Sequence, residues 1–225
     1  MTASDRYREL GEAAWSWVLG QVGEDEGPWL PETVPDDGRE QAPAKDRDTL
    51  YAGIAGLAPV LAEIAQYRDL SESEQSLATG IVTRLSAQAK GRTEPSLYDG
   101  LAGDAMALRL LAPGQESSAL RRLADLATPE GWRTTVDFEP GSDAPLNDII
   151  MGTAGVVMTA VWAGGEFTRP IAAAGGEALL RVADRTEAGL DWGIGATTEW
   201  PARHLSHRAP GVGAGRGGAG GGQGP

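Results

Sequence analysis

Few side chains here could move a proton near neutral pH. The only histidines are His204 and His207, three residues apart in "WPARHLSHRAPGVGA". Histidine is the one side chain that ordinarily titrates near neutrality, so His207 is a candidate acid or base. His204 is read as a loop residue. The carboxylates best placed for chemistry are Asp148 in "NDIIMGTAG" and Asp99 in "LYDGLAG". Each has a plainer reading. Asp148, alone or with Asn147, is positioned to cap a helix, and Asp99 closes the capping pattern Ser96-x-x-Asp99. Asp191, Trp192, Glu199 and Trp200 in "LDWGIGATTEWPARH" are read as packing residues, with the lining of a mouth as the alternative. Zinc takes about four ligands, about three of them from protein at an open catalytic site. Two histidines and no cysteine fall short of that set. Residues 213–218 satisfy G-x-G-x-x-G, but no strand precedes them and no apolar helix follows. A dinucleotide site is therefore rejected.

Composition narrows the setting. Apolar residues make up 41% of the 225, enough for a core, and alanine, leucine and glycine dominate them. Aromatic and β-branched runs are scarce, which favours helices. A net charge of −13 repels phosphate backbones and anionic membranes, so nucleic-acid and membrane partners are not expected. No apolar run approaches the roughly 20 residues of a membrane span. The start "MTASDRYREL" has no secretion-signal pattern, and a cytoplasmic location is expected. Without cysteine, disulfides, thiol nucleophiles and thiolate metal sites are excluded for these residues.

The elements that must position these groups are legible in part. Tyr7, Leu10, Ala14, Trp17 and Val18 recur at helical spacing and predict a helix over 5–22. The stretch that follows, rich in Pro, Gly and acidic residues, reads as an irregular connection. From Leu50 the pattern repeats. "LYAGIAGLAPVLAEIA", "LYDGLAGDAMALRLLA" and "DIIMGTAGVVMTAVWA" each carry G-x-A-G and then an apolar run. The leading glycines Gly53, Gly100 and Gly152 lie 47 and 52 residues apart, a period of stacked supersecondary units. Polar-faced helices over 71–89, 116–127 and 170–185 separate them, the first opening on the capping box Ser71-x-x-Glu74. A helix apolar all round needs burial all round, and a polar-faced helix covers one side. An inner ring of glycine-bearing helices wrapped by an outer ring satisfies both.

This repeated "LYxGxAG" pattern, together with "LSHRAPGVGA", resembles the lanthionine synthetase C-like family over about 50–212. The resemblance implies an α/α toroid that adds a peptide cysteine thiol to a dehydrated Ser or Thr, giving a thioether ring. It implies a precursor-peptide partner and a zinc ion that holds the thiolate. His207 matches the histidine of the family's "SHG" segment, and Asp148 the aspartate before the third glycine pair. Those two are the catalytic candidates. The family's cysteine ligands have no counterpart here, so no metal or cofactor is expected in this chain.

The expectations are as follows. The fold is all-α, an incomplete α/α toroid. Residues 1–49 form a helix and connection, 50–212 the partial toroid, and 213–225 a glycine-rich disordered tail. In the fourth unit Arg208 stands at the first-glycine position, 56 residues after Gly152, and Gly211 at the second. No apolar helix follows, so the chain is expected to be truncated and inactive alone. Alternatives are a non-catalytic peptide-binding scaffold and, last, a carbohydrate-active α/α barrel using Asp99 and Asp148. The open side of the Gly152 unit should expose apolar surface and favour self-association.

Overall fold

The structure is a computed structural model that describes residues 2–34, 41–134 and 145–193. The first element, α1 (Ala3–Leu19), opens on a capping box. Thr2 Oγ1 accepts from the Asp5 N–H, and an Asp5 carboxylate oxygen accepts from the Thr2 N–H. Gly20 ends the helix. The buried face of α1 is only partly the predicted one: Tyr7, Leu10 and Trp17 are exposed, Val18 is half-buried against the core, and Trp15 is the buried residue. Trp15 anchors this face by donating Nε1 to the buried Glu74 at 2.7 Å.

The connection after α1 contains a hairpin that the sequence reading missed. Strands β1 (Gly23–Glu24) and β2 (Pro28–Trp29) pair antiparallel around a turn where Glu26 and Gly27 have positive φ. Two-residue strands leave no alternation to read. Arginines clasp the turn: Arg47 donates to the Asp25 and Gly27 carbonyls, and Arg84 to that of Glu26.

Three helix pairs follow. A 3-10 turn (Ile54–Leu57) leads into α2 (Ala58–Tyr67), which is followed by α3 (Glu72–Gln88). Then come α4 (Leu101–Leu111) with α5 (Ser117–Leu126), and α6 (Thr153–Ala163) with α7 (Arg169–Arg181). The last helix ends four residues before the predicted 185, because the chain enters a second hairpin, β3 (Asp184–Thr186) with β4 (Gly189–Asp191). The inner helices α2, α4 and α6, each entered through a glycine pair, pack on one another in order, and α3, α5 and α7 cover them. This is an all-α, partial toroid. Two apolar clusters share α4: Leu101, Ala102 and Ala105 join one, and Ala107 and Leu108 join the other. Among the described residues, no helix is long and apolar enough to cross a membrane.

Each glycine pair has one repeated purpose. The first glycine is the N-cap of its element in all three units. The next residue donates its N–H to the carbonyl seven positions back: Ile54 to Arg47 at 2.9 Å, Leu101 to Glu94 at 2.9 Å and Thr153 to Leu146 at 2.8 Å. The preceding loop is thereby drawn across the helix start. A Cβ on Gly53, Gly100 or Gly152 would fall within 3.0 Å of that loop's backbone, and one on Gly56, Gly103 or Gly155 would meet a second carbonyl as closely. The loops also bond to each other at equivalent positions. The Tyr51 N–H donates to the Tyr98 carbonyl at 3.1 Å, and the Tyr98 N–H to that of Ile150 at 3.2 Å.

On the outer layer, Glu74 ties three elements together. It closes the Ser71 box of α3, receives Arg68 at 2.8 Å on both oxygens, and accepts from Trp15. The Arg68 pairing holds its carboxyl well below the ordinary range.

Two outcomes follow. Gly155→Ala should cost about 1–3 kcal/mol by overpacking against backbone. Gly11→Ala, in α1 with nothing within 4 Å of the added methyl, should gain about 0.5–1 kcal/mol. Urea melts of the two variants check both signs. Glu74→Ala removes the shared acceptor of Trp15 and Arg68, while Arg68 keeps Glu12, and should cost about 1–3 kcal/mol. The stability that Glu74 contributes is present above its ordinary pKa of 4.5 and lost as pH falls below it. Thermal melts against pH should therefore show wild type and variant converging in acid.

Candidate functional site

The loops that precede the inner helices meet at one end of the partial ring, and the described chemistry gathers there. Residues two before each first glycine are Tyr51, Tyr98 and Ile150. The two tyrosine rings stack with centroids 5.8 Å apart, and Tyr51 and Ile150 are exposed. The helix N-termini behind these loops carry partial positive charge.

Asp148 lies in the third loop and is half-buried. It does not cap α6, whose N-cap is Gly152. Instead its Oδ1 accepts from the Ile150 N–H at 2.7 Å and the Met151 N–H at 2.9 Å, an Asx-type turn within the loop. No described residue donates to Oδ2. Asn147 is not a cap either; its side chain donates to the Gly193 carbonyl at 2.9 Å. The structure thus fixes Asp148 by one oxygen at the loop end of the ring.

Asp99 sits in the second loop. Its N–H donates to Ser96 Oγ at 3.3 Å, but the reciprocal bond of a capping box is absent: the Ser96 N–H goes to Glu94 at 3.1 Å. Burial, with help from Asp46 and Glu94, raises the Asp99 carboxyl above its ordinary pKa. Asp99 lines a cleft of about 510 Å³ with Asp46, Arg47 and Arg92. Asp148 is not among the residues lining it. Trp192 has a structural bond, donating Nε1 to the Leu179 carbonyl at 2.8 Å. His204, His207, Arg208, Gly211, Glu199 and Trp200 lie outside the described residues.

One pair escaped the sequence reading. Asp104 on α4 is 1% exposed and receives Arg92 Nη1 on both oxygens, at 2.8 and 2.9 Å. Arg92 Nη2 also holds the Asp99 carbonyl at 2.6 Å, so the buried pair anchors the second loop. The signal was available in the repeat. Asp104 stands four residues after its first glycine, where the other units place Leu57 and Val156. A charge at an apolar position of a repeat needs a partner. Burial raises the Asp104 carboxyl to about 7, and Arg92 opposes the shift.

The donor set does not fit a zinc–thiolate centre. Among the described residues, no group of three or more His, Cys, Asp or Glu is arranged to hold a metal ion, and the sequence has no cysteine.

A family model described as lanthionine synthetase C-like protein matches residues 44–191, more than half of the 225. The chain belongs to the lanthionine synthetase C-like family. The match spans all three glycine-pair units and Asp148, and it stops short of His207. No curated protein and no solved structure matches the chain. Membership in a peptide-modifying family accords with the helical partial ring and its loop-built end.

The buried pair gives a measurable outcome. A carboxylate whose folded pKa is raised binds a proton more tightly in the native state. Its contribution to stability is therefore greatest at low pH and declines between about 4 and about 7. A carboxyl NMR titration of Asp104 should report an apparent pKa near 7 in wild type and a higher one in Arg92→Met. The variant should lose about 1–3 kcal/mol of stability at neutral pH, because the carboxyl takes up a proton and is left as an underpaired buried polar group.

Proposed function

We propose that this lanthionine synthetase C-like chain engages a precursor peptide at the loop-built end of its inner helices. It does not close thioether rings by itself. The observation that carries this reading is the position of Asp148. The carboxylate is fixed through one oxygen in the third loop, beside exposed Ile150 and on the end that also displays Tyr51.

The chemistry of ring closure supports this division. A thiolate adds to the β-carbon of a dehydrated residue, an S–C bond forms, and the resulting enolate takes a proton at its α-carbon. His207 is assigned to that proton transfer and Asp148 to orienting the imidazole or stabilising its charge. The first step needs a thiolate, and a free cysteine with pKa about 8.5 is mostly protonated at neutral pH. Family members use zinc to hold it. With no cysteine in its 225 residues, this chain has no thiolate ligands to offer that metal. The proposed working location is the cytoplasm.

The same lack of ligands favours a second reading, a non-catalytic peptide-binding scaffold. Titration of the purified chain with dehydrated, cysteine-bearing peptides tests what the two readings share, peptide binding without ring closure. Binding is expected, and after incubation with zinc the peptide thiol should remain fully open to alkylation. Loss of the alkylatable thiol would refute inactivity, and absence of binding would remove the peptide-directed function.

A further inference from the structure

The repeat defines what each unit requires on its two sides. The second glycine of a unit receives an aliphatic side chain from the unit before. A Cβ on Gly103 would lie 3.1 Å from the Leu50 Cβ, and one on Gly155 would lie 2.9 Å from the Leu97 Cβ. Both junctions inside the chain use this knob and slot.

Among the described residues, the two outer units each present half of that contact. The third unit's equivalent of Leu50 and Leu97 is Ile149, which is 49% exposed. The first unit's equivalent of Gly103 and Gly155 is Gly56, with no side chain within 4 Å of the place where a Cβ would stand. One turn further along, Ala107 and Thr159 are completely buried in their junctions, whereas the matching Val60 is 40% exposed. The aromatic step repeats the pattern. Tyr98 stacks against Tyr51 and bonds to Ile150 through its backbone, while Tyr51 itself is 76% exposed.

We propose that a second copy of this chain docks head to tail. Ile149, Ile150 and Met158 of one copy would meet Tyr51, Gly56 and Val60 of the other. The occupant is argued from continuity. The interface is the internal junction made once more, with the same residue classes at the same repeat positions. Because the two edges differ, the contact is heterologous, and it either closes into a ring or extends. Asp148 already occupies the Ile150 N–H, so the contact is made by side chains. A net charge of −13 on each copy opposes association and is screened by salt, so association strengthens as salt is raised. This inference rests on the repeat alone and does not depend on the cyclase reading.

Sedimentation velocity of the full chain over a wide concentration range tests it. Reversible self-association is expected. Ile149→Asp should abolish it from one edge and Val60→Asp from the other. Both sites are on the surface, so circular dichroism melts should stay close to wild type. Met158→Asp serves in place of the first variant if that one melts early. Mixing the two variants leaves one intact edge on each, and the mixture should form a discrete one-to-one dimer. Three results would overturn the proposal: a wild-type monomer at every concentration, as when the chain's own residues beyond Gly193 cover the third unit; single variants that still associate; or a mixture that fails to recombine.

Discussion

The fold depends on backbone passing directly over backbone at the start of each inner helix. A carbonyl seven residues upstream accepts the first N–H after the glycine cap in every unit, at 2.8–2.9 Å. That bond satisfies a donor that a helix start otherwise leaves open. It also draws the loop so close that neither glycine of the pair tolerates a side chain. Gly103 and Gly155, inside their helices, cost helix propensity, about 1 kcal/mol each relative to alanine. The close approach offsets this by bringing three loops together at one end of the ring, where they bond to one another. The candidate site is a consequence of this backbone packing.

Different parts of this arrangement were visible in the sequence to different degrees. The glycine pairs were legible because close approach admits one residue type only, and it recurs at a fixed period. The Ser71–Glu74 box was legible because capping is local chemistry. The face of α1 was legible only in part. Its periodicity pointed to Tyr7, Leu10 and Trp17, but the buried residue is Trp15, anchored by a bond to Glu74, 59 residues away. The two hairpins were missed because strands of two or three residues carry no period. Asp148 was legible as a residue of interest. The plainer reading of it as a helix cap was off by one turn of logic, since the glycine is the cap and the aspartate serves the loop. Asp104 was passed over because its run reads as apolar unless the three units are aligned on their glycines.

The electrostatics divide along the two layers. Glu74 and Arg68 are paired on the outer side, where the carboxylate is held ionised by several donors. Asp104 and Arg92 are paired on the inner helix α4, where burial works against the charge. Losing a partner is costly in both places, but the two carboxylates respond to pH in opposite directions. The outer pair favours the native state as the solution leaves the acid range. The inner carboxyl favours it before that range is left. Arg92 also grips the second loop, so one side chain joins Asp104 to the loop that carries Asp99.

Asp148 stands where the ladder of loop-to-loop bonds runs out. Tyr51 and Tyr98 each donate to the next loop, whereas the N–H of Ile150, next in line, is taken by the carboxylate two residues before it. Among the described residues no further loop reaches Ile150, and the side chain keeps this polar group satisfied. Any backbone carbonyl delivered to Ile150 would compete for that N–H and leave Oδ1 to Met151 alone, with one acceptor position open. Closing the edge and opening an acceptor on Asp148 are two descriptions of a single exchange.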